Sequence, residues 1–121
     1  MIPDELREFC LALPQATETF PFDESTSVFK TSGNGKIFAL SDLGASAFSV
    51  SLKCDPDESV ALRSAYPQIT PGYHLNKKHW ITIDLGGAGA GAVPDDLVEQ
   101  LITDSHRLVR PKVRRPAQSS G

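Results

Sequence analysis

Between Ala47 and Lys53 apolar and polar residues alternate without a break: Phe48, Val50 and Leu52 point one way, Ser49, Ser51 and Lys53 the other. Side chains of a strand alternate faces with a period of two, so this segment has one buried and one wet face. One-sided strands belong to antiparallel sheets, because the strands of a parallel sheet are covered on both faces and read as continuous apolar runs. Other segments agree. Ser27 to Thr31 and Lys36 to Ser41 flank Ser32-Gly33-Asn34-Gly35, and Asn-Gly is the strongest short-range hairpin signal. Leu43-Gly44-Ala45-Ser46 reads as the turn before the alternating strand. In a second β region the clearest strand is Trp80 to Leu85, with Ile81, Ile83 and Leu85 on one face and Trp80, Thr82 and Asp84 on the other. A short strand is expected around Ala16 to Phe20.

Three helices separate and flank these strands. The first is expected from Pro3 to Leu13, where Ile2, Leu6, Phe9, Cys10 and Leu13 form one apolar stripe. Pro3 suits its first turn, Asp4 and Glu5 its dipole, and Pro14 stops it. The second opens at Asp55-Pro56-Asp57-Glu58, with Asp55 as cap, Pro56 in the first helical position and Glu58 completing a capping box; it runs to Tyr66 before Pro67. The third starts near Pro94-Asp95-Asp96 and turns Leu97, Leu101 and Ile102 inward. It, or a short fourth helix after a break near Asp104-Ser105, carries Leu108 and Val109. Gly86 to Gly91 is a flexible loop without phosphate-loop spacing. The order α, strands, α, strands, α predicts an α+β fold, an antiparallel sheet with helices mainly on one face. Phe48, Val50, Leu52, Ile81 and Ile83 should meet Leu6, Phe9 and Leu101 there.

A chain of 121 residues fits one domain, taken as residues 1–110, followed by a basic flexible tail over 111–121. Apolar runs of a few residues are too short to span a membrane, and the acidic start Met1-Ile2-Pro3-Asp4-Glu5 does not read as a secretory leader. Two cysteines, Cys10 and Cys54, make no disulfide framework; both are expected to be reduced, in a cytoplasmic protein. Charge is unevenly placed. Residues 1–104 hold all 15 acids and seven of the 12 bases, a net −8, whereas Arg107, Arg110, Lys112, Arg114 and Arg115 follow without an acid, a net +5. Helix-end complementation and a solvated tail account for that excess; an arm that meets phosphate is the sharper reading.

Chemistry-bearing residues concentrate in Thr70 to Trp80, TPGYHLNKKHW. If the isoleucines of the following strand face the core, Trp80 lies on the other side of the sheet. It is then either covered by a helix with its indole N–H satisfied, or presented beside cations, as proteins hold bases, sugars or phosphates. His74 and His79 are five apart, and no cysteine or carboxylate at ligand spacing joins them, so no metal site is expected. No nucleophile motif is present. Cys54, beside Lys53 at a helix N-terminus, is the best catalytic candidate because that setting lowers a thiol's pKa; a partly buried, cap-adjacent cysteine is the plainer reading. Gly33-Asn34-Gly35 is a hairpin turn and not a nucleotide loop, since no helix follows it.

Ser51-Leu52-Lys53-Cys54-Asp55-Pro56, Leu62-Arg63, Tyr66-Pro67 and the block Pro71-Gly72-Tyr73-His74-Leu75-Asn76-Lys77-Lys78-His79-Trp80 together resemble the MmcQ/YjbR family. The likeness runs from Leu13-Pro14 to the Ser105–Leu108–Val109 stretch. It implies a compact fold of helices and sheet with a double-wing arrangement and a DNA-binding role. On that footing the chain is expected to be a non-enzymatic binding protein, cofactor-free, a monomer or weak dimer. Lys77 and Lys78 would contact phosphates, His79, Asn76 and Trp80 would shape the site, and Arg110, Lys112, Arg114 and Arg115 would add electrostatic attraction. The alternative is a module binding a small anionic or aromatic ligand in a pocket built from Tyr73, His74, Asn76 and Trp80. A weak enzyme using Cys54 or a histidine comes third.

Overall fold

The computed structural model describes residues 1–44, 48–72, 75–86 and 93–110. Three helices, α1 (Pro3–Ala12), α2 (Pro56–Ala65) and α3 (Asp95–Val109), accompany six strands: β1 (Ala16–Thr19), β2 (Thr26–Thr31), β3 (Ile37–Asp42), β4 (Ser49–Lys53), β5 (Ile69–Pro71) and β6 (Trp80–Asp84). The strands form one sheet in the order β1-β2-β3-β4-β6-β5, every pair antiparallel. The α+β architecture expected from the alternation is therefore the one observed.

Register assigns the faces. Leu52 lies opposite both Ala39 and Ile81, and Val50 opposite Ile83. These residues are fully buried and share one cluster with Leu6 and Cys10 of α1 and Val98, Leu101 and Ile102 of α3; Phe9, Leu62 and Tyr66 pack against it. All three helices thus cover the same face of the sheet. Arg7 of α1 reaches Glu18 of β1 at 2.9 Å, and Glu18 takes the Ser27 hydroxyl on the same side.

Several local expectations change. The hairpin between β2 and β3 forms, but around a four-residue loop in which Gly35 alone takes a positive φ, 69°, and its N–H donates to Thr31 O. Asn34 serves by its side chain: its amide donates to Val109 O, and its Oδ1 accepts from Thr31 Oγ1 and Lys36 N. Asp55 caps α2 by accepting from Asp57 N and Glu58 N, yet Glu58 completes no box, because its carboxylate takes the Cys54 thiol instead. No break interrupts α3 at Asp104-Ser105. Ser105 is buried, and so is His106, whose Nε2 meets Pro14 O at 2.7 Å while its ring stands edge-on to Phe38. Leu108 lies on the exposed side of that helix.

A bulge between β2 and β3 shapes the sheet's centre. Phe29 pairs with Ala39 and Lys30 with Ile37, leaving Phe38 as the extra residue, so Phe38 and Ala39 are both buried. The β3–β4 ladder spans only Ala39↔Leu52 and Leu40↔Ser51. Hydroxyls close it at both ends. Ser105 Oγ donates to Phe38 O at 2.6 Å and accepts Lys53 N–H at 2.9 Å; Ser41 Oγ donates to Ser49 O at 2.6 Å. The turn at Leu43-Gly44-Ala45-Ser46, the loop at Gly86 to Gly91 and the tail over 111–121 lie wholly or partly outside the described residues.

Candidate nucleic-acid interface

With the helices on one side, the other face of the sheet carries no described helix. Register orders it into three rows running across the strands. At one end are Thr17, Lys30, Ile37, Lys53 and Trp80; in the middle Thr19, Val28, Leu40, Ser51, Thr82 and Thr70; at the far end Thr26, Asp42, Ser49 and Asp84. The first row is basic and aromatic, the second neutral, the third acidic. In the middle row the hydroxyls of Ser51 and Thr82 are 2.9 Å apart. Trp80 thus stands opposite the isoleucine face, half-buried and with no helix over it among the described residues, a covering helix being one of its two expected settings.

The segment from Gly72 to His79 returns the chain to the basic end. Asn76 Oδ1 accepts from Lys78 N and Asn76 O from His79 N, a side-chain-capped turn that leaves Lys77 and Lys78 exposed. Lys77 Nζ reaches Gly72 O at 3.4 Å. His79 O accepts Cys54 N–H at 2.8 Å, extending the β4–β6 pairing beyond Lys53↔Trp80 and tying the turn to the start of α2. Gly72 N–H donates to Trp80 O at 2.8 Å, and a Cβ at residue 72 would fall 2.6 Å from Trp80 Cβ. Only glycine admits so close a backbone, and that closeness places Trp80.

Asn76, Lys77, Lys78, His79 and Trp80, which the sequence marks as one site, are together at this end. Lys30, Lys36 and Lys53, scattered in sequence, join them: five of the chain's six lysines sit at the end where β2 and β4 finish and β3 and β6 begin. Among the described residues none of the five is in an ion pair. The bond from Asn34 to Val109 O brings the C-terminus of α3, and with it exposed Arg110, to the same end. The signal for Lys53 is the alternation itself, which places it on the wet face. Tyr73, His74, Lys112, Arg114 and Arg115 lie outside the described residues.

At the opposite end Asp23 accepts from Ser25 N and Thr26 N, and the Thr26 bond first, then that of Ser25, holds its carboxyl below the ordinary carboxylate range. With Glu24, Asp42 and Asp84 it makes that end anionic.

Cys54 is not the activated thiol its position suggests. It is 4% exposed, and burial first, then Glu58, push its pKa up to about 12, outweighing Lys53 and the helix N-terminus. Cys10 is likewise pushed up to about 12 by burial and Glu18; both cysteines are free. Among the described residues no three His, Cys, Asp or Glu side chains gather where a metal ion would fit, and no helix is long and apolar enough to cross a membrane.

The YjbR family profile matches residues 11–108. The chain belongs to the YjbR family. The uncharacterised Escherichia coli O157:H7 protein YbdF is 39% identical over 103 residues, 85% of this chain and 80% of its own. The uncharacterised protein YjbR of Escherichia coli K12 is 30% identical over 107 residues, 88% of this chain and 86% of its own. Among solved structures, a Deinococcus radiodurans protein with 43% identity superposes with a TM-score of 0.81, over 98% of this chain and 86% of that one. A Pseudomonas syringae protein with 26% identity gives 0.76, over 91% of this chain and 100% of its own. This YjbR-family chain therefore shares its α+β fold with proteins of two bacteria.

Proposed function

We propose that this protein is a non-enzymatic DNA-binding protein that engages phosphates with the basic end of its open sheet face. One observation carries the reading: five lysines, none ion-paired among the described residues, lie at the end of the sheet that Trp80 occupies, two of them, Lys30 and Lys53, on the face that no described helix covers. Unpaired ammonium groups gathered over a short span attract a polyanion and release its counterions on binding. Lys77 and Lys78, both exposed, make the outer phosphate contacts; Asn76 and His79 hold the turn that presents them; Arg110 adds attraction from α3.

The test is fluorescence anisotropy with labelled DNA at two salt concentrations. Binding should be weak, steeply salt-dependent and nearly indifferent to sequence. The double variant Lys77→Ala, Lys78→Ala should weaken it uniformly and reduce the log–log salt slope by about two, one for each phosphate left without its lysine. Absence of binding at low salt would remove DNA and promote a small anionic or aromatic ligand, sought in a thermal-shift screen of metabolites.

A further inference from the structure

The helices of this protein are poorly suited to enter a DNA groove. Their exposed residues include Asp4, Glu5 and Glu8 on α1, Asp57 and Glu58 on α2, and Asp95, Asp96 and Glu99 on α3. A groove of a duplex admits a helix or a two-stranded ribbon, whereas the face without a described helix is six strands wide, about 24 Å at the usual spacing, and Val28 in its middle row is fully buried. Its third row is acidic, so a duplex laid across the whole face would set its phosphates against Asp42 and Asp84. Cations and aromatic surface coincide in one row. Trp80 sits directly opposite Lys53, and Lys30 follows two strands further on, about 10 Å from Lys53. A flat ring flanked by ammonium groups along one narrow track is the arrangement that holds an unpaired strand, the base stacking and the backbone following the cations.

We infer that the form of DNA recognised by this face is single-stranded, its backbone running across the β-strands along Lys53 and Lys30, with one base stacked on Trp80. The inference rests on the DNA-binding reading above and names the substrate of that same site. Lys53 and Lys30 supply the inner phosphate contacts and Lys77 and Lys78 the outer ones. Asp42 and Asp84 repel a strand displaced toward the far end, which keeps it in the first row.

Trp80 is the chain's single tryptophan, so its emission reports on the site alone. The intact protein is titrated at low salt with a short oligothymidylate and with a mixed-sequence duplex of equal length, following anisotropy of the DNA and emission of Trp80. The expected result is tighter binding of the single strand, quenching of Trp80 as it binds, and recovery of emission on adding salt. Trp80→Leu should weaken single-strand binding by about 5- to 150-fold, with Trp80→Phe retaining most of it. Thermal melts of both variants separate lost stacking from lost fold, and quenching in the unaltered protein is readable if neither variant folds. Lys30→Gln with Lys53→Gln should reduce the salt slope without altering the residual quench. Equal or tighter duplex binding, or single-strand binding with unchanged emission, overturns the single-strand inference while leaving DNA binding standing. Failure of both DNAs to bind overturns the two together.

Discussion

Residue 72 illustrates how one missing side chain sets a site. Gly72 has no room toward β6, where an added Cβ would lie 2.6 Å from Trp80 Cβ, 3.2 Å from Trp80 C and 3.2 Å from Trp80 O. Those last two atoms are backbone, so the strain cannot be relieved by a rotamer change. Gly72→Ala should therefore displace Trp80 and cost about 1–3 kcal/mol, as overpacking does. The check is a lower melting temperature together with a shifted Trp80 emission maximum. The cysteines make a prediction in pH. Each thiol has an ordinary value of 9.0 and is pushed up to about 12 in the fold, chiefly by burial. The native state holds these protons more tightly than the unfolded chain, so the contribution to stability is complete below pH 9 and is lost as pH rises from about 9 toward 12. Urea melts at about pH 7.5 and about pH 10 should show this decline, and Cys54→Ala should flatten it. Thiol labelling of the native protein at about pH 8 should be slow at both positions and fast once urea is added, since neither thiolate forms in the fold.

At the scale of elements, the informative case is α3 against the β3–β4 seam. Periodicity identifies the helix through Leu97, Leu101 and Ile102, but Asp104-Ser105 reads as a break, whereas the helix runs on through Ser105 and His106. Both are buried on the same side as the apolar stripe. Ser105 accepts the Lys53 N–H and donates to Phe38 O where the strands cease to pair, and His106 joins Pro14 O and the Phe38 ring. A serine on a core stripe has no signature of this kind in one dimension, because its partners are 52 and 67 residues away. Ser105→Ala should leave two buried backbone groups unpaired and cost about 2–3 kcal/mol. Urea unfolding should give a lower midpoint with an unchanged slope, the sign that stability and not compactness has changed. The hairpin is a milder instance. Asn-Gly marks it correctly, yet Asn34 works through its side chain, joining the turn to the end of α3. Asn34→Ala should cost about 1 kcal/mol, and Asn34→Asp should fail to restore it, since a carboxylate cannot donate to Val109 O.

For the whole molecule the organising feature is polarity along the strands. Lysines collect where β2 and β4 end, and Asp23, Glu24, Asp42 and Asp84 where they begin. Because the strands are antiparallel, residues close to one end of the sheet come from alternate ends of successive strands, which is why the two charge groups look mixed along the chain. On the DNA-binding reading proposed above, a field divided in this way would orient the polyanion as it approaches. Asp42→Asn with Asp84→Asn keeps the acceptors that Gly44 N and Gly86 N use, while removing two repulsive charges. It should strengthen DNA binding at low salt mainly through a faster association rate, with little change in melting temperature, and the gain should vanish at high salt. Stopped-flow association at two ionic strengths would measure it.

By itself, the sequence determined the antiparallel sheet, the helices on one face, the inward sets on β4 and β6, and the side of the sheet on which Trp80 stands. Each follows from a periodicity of two or of 3.6 that any single segment carries within itself. It also marked Tyr73, His74 and Asn76 to Trp80 as one candidate site, because those residues are neighbours in the chain. What needed the tertiary structure was everything that depends on register between distant segments. Lys30 and Lys53 share a row with Trp80 because each lies two residues beyond the middle-row residues Val28 and Ser51 and because β4 pairs with β6 across an intervening helix; the bulge at Phe38 decides only that Ile37 is the residue opposite Lys30. Cys54 is raised rather than activated because the core closes over it and Glu58 turns toward it, a balance of burial against a helix dipole that local composition does not contain.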